Sequence, residues 1–209
     1  MAASRTMILF DPDLDTDLSP QAKLPKRSGH ASQRGQRIPS RQTLARFLRD
    51  AQAAVKLRGH VAVLLTTEAA IRRLNRQFRG KNKATDVLSF PAATPSQVSK
   101  ARSRPHRPGP VAGDPGRGAP RFHEIAGDLA ISIPTARRQA EDRGHSLAIE
   151  IKVLMLHGLL HLAGYDHEID AGEMARRELK LRMKLRLPHG LIERAGPGGD
   201  TKSARGRRR

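Results

Sequence analysis

The chain contains no cysteine. This absence excludes disulfide partners and a closed zinc site built from thiolates. The sequence also lacks an apolar stretch of the roughly 18 residues that a membrane span requires, and its N-terminus lacks the charged-then-apolar pattern of an export signal. We therefore expect a cytoplasmic protein.

Acidic and aromatic residues are scarce as well. Aromatic residues make up 3% of the chain, and 39 lysines and arginines outnumber 20 acidic residues, for a net charge of +19. Most of the excess lies in residues 21–41, 97–120 and 193–209, which are rich in Gly, Pro, Ser or Arg and poor in large apolar side chains. Such segments rarely pack. We expect one domain over residues 1–193 with flexible basic insertions near 21–41 and 97–120, and a disordered basic tail at 194–209.

The basic excess indicates a polyanionic partner. Nucleic acid and an anionic membrane surface both carry the required charge. Because no segment suits insertion into a bilayer, we expect nucleic acid and no membrane.

Predicted strands and predicted helices are interspersed along the chain. They are consistent with an α+β domain in which a single mixed β-sheet packs against helices. Period-two and helical apolar patterns predict strands at 6–10, 61–65, 85–90 and 125–133, and helices at 41–57, 68–78, 134–143 and 169–187. Ile71, Leu74 and Phe78 are predicted to face inward in the second helix, and Met174, Leu179, Met183 and Leu187 are predicted to be partly buried in the last.

One further helix carries a cluster of histidines. Residues 146–156 are almost wholly apolar and contain no Pro or Gly, which predicts a buried helix capped by Ser146. His157 and His161 are four residues apart and so lie on one helical face, and Gly164 is a suitable helix stop before the chain brings back His167. Three imidazoles predict a site for one Zn²⁺ per chain. Its fourth coordination position would be open, as in catalytic rather than structural zinc sites.

The spacing of these histidines is also that of the metzincin proteases. Those enzymes carry a glutamate directly after the first histidine as the general base, whereas this chain has Gly158. A zinc metallopeptidase is therefore the alternative hypothesis and not the leading one.

Three sequence blocks together resemble the YbeY family of bacterial rRNA maturation factors, which are zinc-dependent endoribonucleases. The first runs from Leu74-Asn75 through Phe78-Arg79-Gly80-Lys81 to Thr85-Asp86-Val87-Leu88-Ser89-Phe90-Pro91. The second is Gly127-Asp128-Leu129 with Ile131, and the third is the histidine motif ending in Gly164-Tyr165-Asp166-His167. The resemblance covers about two thirds of the chain.

The resemblance implies a fold and an activity. It implies an α+β fold with the metal-bearing helix behind the sheet. The implied activity is a zinc-dependent, single-strand-specific endoribonuclease that acts in 16S rRNA 3′-end maturation and ribosome quality control. The partners would be rRNA precursors and the ribosome or its small subunit. A noncatalytic ribosome-associated factor with a structural zinc is a third reading, which the open coordination position disfavours.

The resemblance also assigns roles to individual residues. His157, His161 and His167 would bind the metal, with His157 and Arg79 as the catalytic residues. Arg79 would hold the scissile phosphate through paired hydrogen bonds, and Lys81 would assist it in binding substrate. Asp166 and Asp128 are candidates for orienting a ligand histidine, although Asp128 could equally support a turn.

Overall fold

Four strands form one mixed sheet in the part of the chain that the computed structural model describes, residues 6–14, 37–92 and 125–188. They are β1 (Thr6–Phe10), β2 (His60–Thr66), β3 (Val87–Pro91) and β4 (Ile125–Ser132), and their spatial order is β1-β2-β4-β3. Strand β2 pairs in parallel with β1 and β4, whereas β3 pairs antiparallel with β4. Strand β3 is therefore one edge of this sheet.

Five helices accompany the sheet. They are α1 (Arg41–Val55), α2 (Glu68–Arg79), α3 (Ile133–Asp142), α4 (Leu147–Leu162) and α5 (Glu173–Lys184). The predicted fold class is confirmed: a single mixed sheet packs with helices, and the predicted histidine-bearing helix is α4. Within the described ranges no helix is long and apolar enough to cross a membrane.

The two faces of the sheet carry different helices. Side chains alternate along β4, so that Leu129 and Ile131 join the main core with α1 and α4, while Ala130 joins Ile71 of α2 and Leu88 in a smaller cluster. Helix α2 thus covers one face near β3 and β4. Helices α1 and α4 cover the other face, and α5 packs beyond α4.

Helix α4 is buried along most of its length, including one charged residue. Ser146 caps it as predicted, since its Oγ accepts a hydrogen bond from the Ile149 N–H at 3.3 Å. Glu150 is fully buried, and its carboxylate is paired with Arg143 at 2.5 Å and with His145 Nε2 at 2.7 Å. This pairing satisfies a carboxylate that would otherwise be costly to bury.

The structure corrects several predicted boundaries and inward positions. Helix α1 ends at Val55 rather than near residue 57, and α5 covers Glu173–Lys184 rather than 169–187. The prediction that Phe78 faces inward is wrong, because it is 59% exposed; Met183, predicted to be partly buried, is 52% exposed. The expected flexible insertions and tail lie outside the described residues, apart from positions 37–41.

The carboxyl end of α4 lies very close to the strands at Gly127. This residue has φ of 144°, and a Cβ there would lie 2.4 Å from the Phe90 carbonyl oxygen and 2.8 Å from Leu162 Cδ2. The backbone of β3 cannot move away without breaking its pairing with β4. Only glycine fits this junction of β3, β4 and α4.

We predict that Gly127→Ala lowers the free energy of unfolding by about 3 kcal/mol or more, combining backbone strain with overpacking. Gly144→Ala is the matched control. Its φ is also positive, at 67°, but nothing lies within 4 Å of an added Cβ, so a loss of only about 1 kcal/mol is expected. Urea unfolding of both variants tests this, and equal losses would contradict the close contact.

Candidate metal centre

The structure brings three histidine rings together at the carboxyl end of α4. His157 and His161 project from one face of the helix, with their Nε2 atoms 3.1 Å apart. Gly164, with φ of 90°, follows the helix, and the chain then returns His167 to the pair. The ring centroids are 4.8 to 5.4 Å apart, and one ligand atom from each ring lies within 4.8 Å of the others.

The three rings differ in exposure. His157 is buried, His161 is half-buried and His167 is exposed. The group therefore has a closed side within the protein and an open side at His167. A small ligand or a substrate can reach the group from that open side.

Burial and the neighbouring imidazoles keep His161 neutral. Desolvation, followed by the proximity of His157 and His167, lowers the pKa of His161 from 6.5 to about 4. A neutral imidazole is the form that binds a metal ion. The ring is thus ready to act as a ligand at neutral pH.

A carboxylate on α5 fixes the orientation of His157. Glu178 Oε2 lies 3.0 Å from His157 Nδ1, and Oε1 of the same carboxylate accepts hydrogen bonds from Arg182, with Nε at 3.0 Å. Burial would raise the pKa of Glu178, but the hydrogen bond with His157 and the charge of Arg182 outweigh it and lower this pKa to about 2. An ionised Glu178 accepts a hydrogen bond from the Nδ1–H of His157. The proton then stays on Nδ1, and the lone pair of Nε2 is directed at the site.

Sequence reasoning missed Glu178 and Arg182. They are four residues apart on a helix with many charges, the usual pattern of an exposed pair. Their function depends on α5 packing against α4, which local sequence does not reveal. The available signal was their position on the same stripe as Met174 and Leu181, which are buried.

The segment between α4 and α5 is held by carboxylates that bond to backbone. Asp166 Oδ1 accepts a hydrogen bond from the Glu168 N–H at 3.0 Å, so this side chain shapes the turn that carries His167. Asp170 accepts from the N–H groups of Gly172, Glu173 and Met174, at 2.8 to 3.1 Å. These contacts stabilise the start of α5 and explain why the helix begins later than predicted.

The other three predicted site residues have exposed side chains outside α4. Arg79 is the last residue of α2 and Lys81 follows Gly80, both with exposed side chains. Asp128 is exposed on the α2 side of β4, opposite the face that contacts α4. The orientation of Asp128 does not support a role in orienting the histidines.

Gly158 faces the sheet rather than the histidines. A Cβ at this position would lie 2.7 Å from Leu129 Cδ2 and 3.2 Å from Ser89 Oγ. Ser89 Oγ also donates a hydrogen bond to the Gly158 carbonyl at 3.3 Å. The position that holds the general base in metzincins is here filled by a contact between helix and sheet.

The donor set fits a divalent transition metal. Three imidazole nitrogens suit zinc, copper, iron or nickel better than calcium or magnesium. The bond from His157 to Glu178 supplies the carboxylate–histidine arrangement that is usual behind such ligands. The three histidines could therefore hold one metal ion.

Fold and site together define an α+β protein with a three-histidine centre at the end of a buried helix. A family model described as Endoribonuclease YbeY matches residues 31–186. The chain belongs to this family.

Individual relatives agree with the family match. The Endoribonuclease YbeY of Koribacter versatilis is 45% identical over 155 residues, which is 74% of this chain and 84% of the relative. The protein of the same description from Solibacter usitatus is 45% identical over 154 residues, 74% and 85% of the two chains. A solution structure from Thermotoga maritima aligns over 87% of this chain and 89% of that chain, with 23% identity and a TM-score of 0.44.

We predict that His157→Ala, His161→Ala and His167→Ala each abolish stoichiometric metal binding, because two imidazoles form a much weaker site. Glu178→Ala should keep the ligands but weaken zinc affinity about 10- to 100-fold, since His157 loses its orienting partner. Elemental analysis and zinc titration measure both effects. Unchanged zinc content in the three histidine variants would contradict this assignment.

The pKa of His161 predicts how the stability of the metal-free protein depends on pH. Its folded value of about 4 lies below 6.5, so between these values only the unfolded chain gains a proton. Stability present above pH 6.5 is therefore lost as pH falls toward 4. Glu178 adds a loss below about pH 4.5, its ordinary value.

Urea unfolding with chelator at pH about 7.5, 6 and 5 checks this linkage. His161→Ala should show a smaller decline over the same pH range. Equal declines for the variant and the parent chain would show that His161 does not contribute.

Proposed function

We propose that this chain is a zinc-dependent endoribonuclease that cleaves single-stranded RNA. The observation that carries the proposal is the three-histidine group, oriented by Glu178, in a chain that belongs to the Endoribonuclease YbeY family. The nuclease activity follows the family description. The choice of zinc rests on three histidine nitrogen donors, a ligand set that catalytic zinc sites use with an open fourth position.

The three histidines would each contribute one ligand to the metal, from different surroundings. His157 is the buried ligand, fixed by Glu178; His161 is a neutral ligand on the same helical face; His167 comes from the exposed turn. A zinc ion held by these three neutral ligands would keep its double positive charge and would supply Lewis acidity toward a phosphoryl oxygen. His157 is thereby catalytic through the metal it holds.

Arg79 and Lys81 are proposed to bind the phosphate backbone at the scissile bond. Both side chains are exposed at the carboxyl end of α2, where Gly80, with φ of 67°, turns the chain. A guanidinium can donate two parallel hydrogen bonds to one phosphate and offset the charge that develops during cleavage. Lys81 adds a point charge to the same contact.

The proposed substrates are rRNA precursors. The wider role that we propose is 16S rRNA 3′-end maturation and ribosome quality control in the cytoplasm, with the small ribosomal subunit as partner. A net charge of +19 supports a polyanionic partner of this kind. Basic residues outside the site would strengthen binding through counterion release, whatever the RNA sequence.

A metallopeptidase is the weaker proposal. The metzincin general base has no place at Gly158, because Leu129 and Ser89 occupy the space that its side chain would need.

We predict that Arg79→Lys lowers RNA cleavage at saturating substrate at least about tenfold, because an ammonium cannot reproduce two parallel hydrogen bonds. Fold and zinc content should not change, since the side chain is exposed. Arg72→Lys, an exposed position seven residues earlier in α2, is the matched control and should cleave at the parent rate. Parent-level cleavage by Arg79→Lys would refute the phosphate contact.

We predict that Gly158→Glu destabilises the fold by at least about 3 kcal/mol and creates no peptidase, because the side chain enters a packed interface as a buried charge. Gly158→Ala should cost less, since it adds one methyl group and removes a helix glycine. Thermal unfolding and a peptide-hydrolysis assay test both variants. Chelator-sensitive peptide hydrolysis by Gly158→Glu would overturn this prediction.

A further inference from the structure

An exposed aromatic ring lies at the end of α2. Phe78 belongs to the helical stripe of Ile71 and Leu74, which faces the sheet, yet it is 59% exposed whereas Ile71 is fully buried. Leaving this much aromatic surface in water forgoes the stabilisation that burial would give.

A second aromatic ring supports Phe78 from the sheet. Phe90 of β3 contacts it with ring centroids 5.1 Å apart and an interplanar angle of 69°. In this edge-to-face arrangement, Phe90 leaves at least one flat face of Phe78 uncovered. The pair therefore presents a fixed ring whose face is open to a planar ligand.

The aromatic pair lies across the edge strand from the metal centre. Side chains alternate along β3, so Ser89 faces α4 and bonds to the carbonyl of Gly158, next to His157. The following residue, Phe90, points to the other face and contacts Phe78. A polymer that crosses the β3 edge can thus contact both places.

Cations predominate at the carboxyl end of α2, whereas one acid, Asp128, is the cross-strand partner of Phe90 on the same face of the sheet. Arg76, Arg79 and Lys81 all have exposed side chains within one turn of Phe78 or just after it. The only acid within α2, Glu68, is at its opposite end and pairs with Arg138 at 3.0 Å. Positive charge beside an open aromatic face matches a single-stranded nucleic acid, whose phosphates and bases need both contacts.

We propose that Phe78, supported edge-on by Phe90, stacks on an unpaired base of the RNA as the strand passes over the β3 edge toward the histidines. The proposal rests on the proposed function. It adds a contact that distinguishes single-stranded RNA from duplex RNA. Bases in a duplex are already stacked and cannot cover the ring. The contact would thus favour unpaired segments without demanding a particular sequence.

The test compares three variants of the full-length, zinc-loaded protein. Phe78→Leu keeps an apolar side chain against Phe90 but removes the aromatic face, whereas Phe78→Tyr keeps the face. Met7→Ala on β1, at the opposite edge of the sheet, controls for loss of an exposed apolar residue, since Met7 is 56% exposed. Circular dichroism and zinc content confirm that each variant is folded and loaded.

Binding is measured by fluorescence anisotropy with an unstructured RNA of about 12 nucleotides, within the usual site size of single-strand binders. A gel after each titration confirms that the RNA is intact. A second RNA has the same sugars and phosphates but abasic positions throughout. Phe78→Leu should weaken binding of the first RNA about tenfold, the order expected for one stacked base, and should leave binding of the abasic RNA unchanged.

Salt dependence separates stacking from charge. Phe78→Leu should lower affinity by the same factor at every salt concentration, whereas Arg76→Gln should flatten the slope of log affinity against log salt by about 0.7. Phe78→Tyr and Met7→Ala should bind like the parent chain. Unchanged affinity of Phe78→Leu, or the same loss with abasic RNA, would overturn the proposal.

Cleavage of an rRNA precursor by the same preparations distinguishes this proposal from the proposed function. If the parent chain cleaves RNA and Phe78→Leu binds RNA normally, the proposed function is supported and the stacking role is refuted. A base-dependent binding loss in a chain that cleaves no RNA supports stacking and refutes the nuclease. A parent chain that binds neither RNA refutes both.

Discussion

The packing of α4 against β3 and β4 is the contact on which the rest of the site depends. Two glycines permit it: Gly158 on the helix, which lies against Leu129 and Ser89, and Gly127 on β4, which lies under Leu162 and the Phe90 carbonyl. With no Cβ at either place, helix and strands approach closely enough for Ser89 to bond to the helix backbone. The position of His157, adjacent to Gly158, is set by this contact.

Ion pairs and hydrogen bonds near both ends of α4 fix the helix in place while it stays buried. Near its start, Glu150 is paired with Arg143 and His145; near its end, His157 is paired with Glu178, which Arg182 supports. A buried helix bearing polar groups is stable only where each has a partner. Both partner sets come from residues outside α4, so the helix is fixed by α5 and by the segment just before it.

Local sequence predicted most of the elements because it contains their physical causes. Ser40, Thr67 and Ser146 each cap a helix as their side chains suggest, and the spacing of His157, His161 and Gly164 predicted a convergent group. What the sequence could not show depends on long-range packing. The stripe of Ile71 and Leu74 predicted that Phe78 faces inward, but local sequence could not show that this ring is 59% exposed. Glu178 could not be recognised without the position of α5, nor the outward orientation of Asp128 without the register of β4.

The graded burial of the histidines has a consequence for how the protein responds to losing its ion. His157 and His161 belong to a helix whose leucines are already buried in the main core, whereas His167 belongs to a turn held by a few backbone bonds. An ion shared by the three acts as a cross-link over a short stretch of chain, and short cross-links restrict the unfolded state little. The domain is therefore expected to remain folded after the ion is removed, unlike small zinc modules that unfold without it. Loss of the ion is therefore expected to affect mainly the exposed turn that carries His167.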